Sequence, residues 1–145
     1  MPRPVLITGC SSGIGWATAA YLAQRGVPVY ATVRTDADRD CVGSIPGVEA
    51  FVCDVTDDGQ VAALRAAIDQ RGDGLCGIVH NAGIGYLGHL TTTPLEAMKQ
   101  VFEVNVFVRS QEGMAPGKPP ALGAAGSLAA ATTRGPSAWV QPLSR

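Results

Sequence analysis

Val5-Leu6-Ile7-Thr8-Gly9-Cys10-Ser11-Ser12-Gly13-Ile14-Gly15 decides the fold of this chain, because it joins an apolar run to a helix through three glycines. Val5, Leu6 and Ile7 are unbroken by polar residues, as suits a central parallel strand covered on both faces by helices. In such a loop Gly9 permits a tight turn, Gly13 lets backbone N–H groups approach a pyrophosphate, and Gly15 lets the next helix pack closely on the strand. Amides at the start of that helix then point at the phosphates, so a nucleotide cofactor is the expected occupant. Taken alone, the loop also fits an ordinary strand-to-helix turn.

Downstream, Ile14, Ala17, Thr18, Tyr21 and Leu22 fall on one helical face, and the pattern stops at Arg25-Gly26, a basic residue and a C-cap glycine. Residues 27–33, Val-Pro-Val-Tyr-Ala-Thr-Val, make the second expected strand. An acidic residue at its end would accept hydrogen bonds from an adenosine ribose and favour NAD. Val33 and then Arg34 stand there instead. A guanidinium can hold a 2′-phosphate bidentately, so the pattern favours NADP over NAD. Asp36 nearby works against this, and Arg34 also fits a plain surface arginine.

A short helix is expected over residues 36–42, a loop over 43–47 and a third strand over 48–53. In Asp54-Val55-Thr56-Asp57 a strand end meets a helix start, with Thr56 as N-cap and Asp57 and Asp58 in the first turn. Val61, Leu64, Ala67 and Ile68 make the apolar stripe of that helix, which ends near Arg71-Gly72. Residues 75–79 form a fourth strand leading into His80-Asn81-Ala82-Gly83. Thr93-Pro94-Leu95-Glu96 reads as a helix opening with Thr93 at the cap and Pro94 at the first helical position. Met98, Val101, Phe102, Asn105 and Val106 then recur at helical spacing.

Thr8-Gly9-x-x-x-Gly13-x-Gly15 departs from the Gly-x-Gly-x-x-Gly of the best-known dinucleotide fingerprint and resembles the motif of the short-chain dehydrogenase/reductase family. Asn81-Ala82-Gly83 resembles the family's Asn-Asn-Ala-Gly, with His80 in the first place, and Val104-Asn105-Val106 resembles its Val-Asn-Val. The resemblance implies a doubly wound α/β sheet of Rossmann type, with strands in the order 3-2-1-4 and the cofactor across their carboxyl ends. It implies cofactor contacts from Gly9, Ser11, Ser12, Gly13, Ile14, Gly15, Arg34, Asp54, Val55, Asn81, Ala82 and Gly83. Within that set the Asp54 carboxylate touches the adenine ring, the small Ala82-Gly83 passes close to the cofactor, and Asn81 braces neighbouring strands. On the residues alone, Asp54 equally fits a plain strand end. Asn105 is the one member of the family's Ser-Tyr-Lys-Asn catalytic set that can be placed, as the anchor of a water in a proton relay. The implied reaction passes hydride between NADP, or less favourably NAD, and a small carbonyl or alcohol substrate. Residues 9–13 and 30–34 look closest to the branch acting on steroids and retinoids, and equally fit a bacterial reductase of unknown specificity.

The resemblance covers residues 4–107, so residues 1–108 are taken as the dinucleotide-binding part. In residues 109–145, 22 of 37 are Ala, Gly, Pro or Ser, too little bulk for a core, and this tail is expected to be disordered. Either a frame-shifted reading of a GC-rich gene or a natural disordered tail produces such a composition. The sheet is therefore expected to be truncated after about four strands, with the fourth as an unpaired edge. The resembling family continues after its Val-Asn-Val with a glycine and later a Tyr-x-x-x-Lys helix, but here Val108 stands at the glycine, and Tyr21, Tyr30 and Tyr86 are followed four residues later by Arg25, Arg34 and Leu90. Catalytic incompleteness follows. The alternatives are an inactive NADP-binding module and a non-functional truncated product.

With 145 residues, 46% of them hydrophobic, and a net charge of -1, the chain has the makings of one globular domain and no electrostatic case for nucleic acid. It has no run of eighteen apolar residues and no signal-peptide pattern, so no membrane contact and a cytoplasmic location are expected. Cys10, Cys41, Cys53 and Cys76 include no Cys-x-x-Cys pair; with only His80 and His89 beside them they suggest buried reduced thiols and no metal site. Oligomer formation is doubtful, because the usual interface helices are incomplete.

Overall fold

A computed structural model describes residues 2–72, 74–89, 91–107 and 128–129. Its centre is a parallel sheet of five strands in the order β3-β2-β1-β4-β5, formed by β1 (Val5–Ile7), β2 (Val29–Val33), β3 (Val48–Val52), β4 (Gly77–His80) and β5 (Leu128–Ala129). The register sets Ile7 beside Ala31 and Val79, so β1 lies between its two crossover partners. The helices are α1 (Gly13–Gln24), α2 (Asp36–Gly43), α3 (Asp58–Arg71) and α4 (Leu95–Phe102), the last running into a π-helical turn at Glu103–Phe107. The order 3-2-1-4 expected from the sequence is present.

Side-chain alternation along the strands divides the core in two. Ile7, Val29, Ala31 and Val33 face α1 and α2, where they meet Ala19 and Val42. Leu6 and Tyr30 face α3, where they meet Ile68 and Leu75. The ring edge of Tyr30 packs against Phe51 with centroids 5.5 Å apart, and the Arg71 guanidinium lies over both rings while pairing with Glu49.

Four expectations are corrected. The buried face of α1 is Gly15 and Ala19 with Leu22 and Ala23 beside them, whereas Ile14, Trp16 and Tyr21 are 58%, 43% and 53% exposed. Small residues win because they let the helix axis come close to the sheet. The cap of α3 is Asp57, which accepts from the Gln60 amide, because Thr56 is held by Asp54. Pro94 is the cap of α4 and not its first helical residue, since the Thr93 hydroxyl donates to the His89 carbonyl at 2.9 Å. Cys10 and Cys53 are buried as expected, but Cys41 and Cys76 are exposed.

The sheet has its four expected strands, but the fourth is not an unpaired edge. Leu128 and Ala129 pair in parallel with Val79 and His80, a two-residue addition from within the tail. The rest of the expected disordered tail lies outside the described residues. Among the described residues no helix is long and apolar enough to cross a membrane.

Candidate functional site

The carboxyl ends of β1, β2 and β4 lie side by side because the three strands are adjacent and parallel, and the loop after β1 is bonded to both neighbours. Buried Thr8 is the hub: its Oγ1 accepts from the amides of Asn81 at 3.1 Å and Ala82 at 3.0 Å. The Asn81 Nδ2 group donates back to the carbonyls of Thr8 and Gly9, both at 2.9 Å. Asn81 thus braces β4 against β1, the place that the family resemblance implied for it. Its Oδ1 is buried with no hydrogen-bond partner among the described residues.

Gly15 fits against this brace. A Cβ there would stand 2.3 Å from Asn81 Nδ2 and 2.4 Å from the Gly9 carbonyl oxygen, so the close approach is of α1 to the Asn81 brace and the loop rather than to a strand. Gly13 has φ +62 with nothing within 4 Å of where a Cβ would lie, so the first turn of α1 faces open space. Ser12, the N-cap, makes no side-chain capping bond, and the first turn carries no acidic residue. The start of α1 therefore presents uncompensated amide dipoles, an electrostatic match for an anion.

These groups open onto a cleft of about 1490 Å³ along the strand ends. Every residue expected at the cofactor lines it except Gly15, which lies behind it. Arg34, at the end of β2, is exposed and has no ion-pair partner among the described residues. Asp36, which looked like a competitor for it, is instead bound to Arg39 at 2.7 Å. Asp54 also lines the cleft, but its Oδ1 accepts from both the amide and the hydroxyl of Thr56, at 2.9 and 2.7 Å.

Asn105 does not line the cleft. It sits in the π-helical turn, where its Oδ1 accepts from the Ile84 amide at 2.9 Å and its Nδ2 donates to the Ile84 carbonyl at 2.8 Å. Both functions of the side-chain amide are used in clamping the loop after Gly83. Its side chain is thus a brace for the cleft wall in this structure. The π-helical geometry was not legible in the spacing, which read as continuous α-helix.

Thr32 is the residue that sequence reasoning missed. It is 1% exposed on β2, its Oγ1 accepts from the Gly9 amide at 3.2 Å, and its carbonyl accepts from the Cys10 amide at 2.8 Å. A threonine in a strand-forming run carries no sequence signal for this. Beside it, Cys10 donates its thiol to the Ile7 carbonyl at 3.3 Å, and burial pushes its pKa up from 9.0 to about 12. That thiol stays protonated and unreactive at neutral pH. Among the described residues no group of three His, Cys, Asp or Glu side chains could hold a metal ion.

A family model described as enoyl-(acyl carrier protein) reductase matches residues 9–133. The short-chain dehydrogenase cctT of Talaromyces islandicus is 35% identical over 109 residues, covering 74% of this chain and 38% of the relative. Retinol dehydrogenase 8 of Homo sapiens is 36% identical over 127 residues, covering 80% and 40%. Among solved structures, a 3-ketoacyl-(acyl-carrier-protein) reductase from Brucella melitensis complexed with NADH superposes with a TM-score of 0.69 at 28% identity, covering 74% of this chain and 46% of that one. The chain spans about two fifths of the length of these curated relatives.

Proposed function

The chain belongs to the short-chain dehydrogenase/reductase family of oxidoreductases, and we propose that its cleft binds a nicotinamide dinucleotide, with NADP preferred to NAD. The observation that carries this reading is the start of α1, where Gly13 faces open space beneath an uncapped helix end. Phosphates suit that position, since amide donors and the helix dipole both favour negative charge there. The preference for NADP rests on Arg34, exposed in the same cleft and without an ion-pair partner among the described residues, while Asp36 is occupied by Arg39. Ser11, Ser12 and the Asn81-Ala82-Gly83 turn line the remaining walls.

A bound nicotinamide would supply the hydride acceptor or donor for a small carbonyl or alcohol, the substrate class of the complete relatives in this reading. For the 145-residue chain the reading is binding without turnover, because none of its three tyrosines is followed four residues later by lysine. A proton donor paired with a lysine contributes rate through acid catalysis and orientation together, so its absence removes both.

Trp16, exposed in the first turn of α1, makes the test direct. Its fluorescence is expected to saturate on titration with NADPH, and more weakly with NADH. Arg34→Ala should cost NADPH binding about 1 to 3 kcal/mol, the range for charge-assisted hydrogen bonds, and leave NADH nearly unchanged. Equal losses for both would show that Arg34 does not read a 2′-phosphate, and a flat titration with either would remove the dinucleotide reading.

A further inference from the structure

The glycine-rich loop is tied down from two sides, and only one of the ties is visible in a sequence motif. On the β4 side Thr8 Oγ1 collects the amides of Asn81 and Ala82. On the β2 side Thr32 collects the amides of the loop itself, Gly9 on its hydroxyl and Cys10 on its carbonyl. A loop of small residues has many accessible conformations, and one held in its binding shape loses less entropy when a ligand arrives.

We infer that Thr32 is a positioning residue for nucleotide binding: its hydroxyl turns the Gly9 amide toward β2 and leaves the anion-facing donors to begin at Ser11. Ser11 and Ser12, the next residues, are exposed, and their hydroxyls have no partner among the described residues. Thr32 stands in β2, and Arg34 follows in the bend directly after the strand's last residue, Val33. One strand therefore fixes both the phosphate loop and the guanidinium, and the hydroxyl of Thr32 sets the loop's place relative to Arg34. This inference rests on the nucleotide reading of the cleft.

Valine at position 32 keeps the shape of threonine but leaves the part-buried Gly9 amide without its acceptor. Thr32→Val is expected to weaken NADPH and NADH binding alike, by about tenfold, in contrast to the NADPH-selective loss at Arg34. Thr32→Ser, which keeps the hydroxyl and drops the methyl, is expected to bind both within about twofold of the unsubstituted chain. In the unliganded protein the Gly9 amide should exchange slowly with solvent deuterium, and faster in Thr32→Val. The proposal is overturned if Thr32→Val binds as well as the unsubstituted chain, or if Thr32→Ser loses as much as Thr32→Val. Rapid exchange of the Gly9 amide in the unsubstituted protein would overturn it whatever the variants do. If the unsubstituted chain binds neither nucleotide, the cofactor reading itself fails and this inference with it; binding that is insensitive to Thr32→Val removes this inference alone.

Discussion

The two faces of the sheet are built to different standards. Under α1 and α2, Ile7, Val29, Val33 and Val42 are at most 1% exposed, and only Val48 in that cluster reaches 8%. Under α3, Leu6, Tyr30 and Ile68 each keep 7%, and α4 beyond it buries no residue among those described. The sealed face is reached by a helix whose contact residues are Gly15 and Ala19, so the backbone itself packs close to the loop and the sheet. The thinner face depends on large side chains, Tyr30 and Phe51, roofed by the Arg71 guanidinium. At the far end α4 leaves Leu95 and Phe102 exposed, and Asn105, in the turn that follows it, is clamped to Ile84.

The largest test compares neighbouring residues on opposite faces. Ile7→Ala, in the sealed face, is expected to cost about 2 to 5 kcal/mol in urea denaturation, and Ile78→Ala, in the thinner face, less than about 2 kcal/mol. Equal costs would break the comparison. Next comes the close approach that seals the first face. Gly15→Ala places a Cβ within 2.4 Å of the Gly9 carbonyl oxygen and closer still to Asn81, and should cost about 1 to 3 kcal/mol while loosening the loop. A neutral Gly15→Ala would mean that α1 stands off from the loop.

A third expectation concerns alkaline pH. Cys10 is raised by burial to about 12 in the folded chain, against 9.0 when unburied. Below about pH 9 the thiol is protonated in both states and adds no pH dependence. Between about pH 9 and 12 only the unfolded chain releases the proton, so stability falls by up to about 1.4 kcal/mol per pH unit. The slope should become shallower by that share in Cys10→Ala, and an unchanged slope would place its origin elsewhere.

The smallest effect is expected at Asp57, an exposed cap on the thinner face. Its carboxyl is held below the ordinary carboxylate range, chiefly by accepting from the Gln60 amide. Stability from a depressed carboxyl is present above its unfolded pKa and is lost as pH falls through the folded value. Asp57→Ala should therefore lower Tm slightly at neutral pH and leave it unchanged in strong acid. A Tm difference that survives strong acid would mean that the charge is not what stabilises the helix start.

Much of this chain was readable from its order of residues, for identifiable reasons. Thr8 to Gly15, Asn81 to Gly83 and the spacing of apolar runs are local patterns whose geometry follows from which residues permit a turn, a close approach or a strand. They were enough for the parallel strands and their crossover helices, while the strand order and the cleft at the carboxyl ends followed from the resemblance to the family. Periodicity misplaced the buried side of α1, because it weights large apolar residues and nothing in it measures how near the backbone comes to the sheet. Cap positions at Thr56 and Thr93 went to neighbours because Asp54 and His89 were nearer partners for those hydroxyls.

Only the tertiary structure could decide the partners separated by many residues. Gly9 meets Thr32 across 23 positions, Ile84 meets Asn105 across 21, and Thr8 meets Asn81 across 73. The same holds for the pairing of Leu128 with Val79, whereas Asp36 turns to Arg39 only three residues on in α2, a local helical pair that leaves Arg34 open to the cleft. By itself the sequence determined which segments become strand, turn and helix, since those depend on φ, ψ and side-chain period within a few residues. Which hydroxyl holds which amide depends on where the folded strands bring them, and that is a property of the packed sheet.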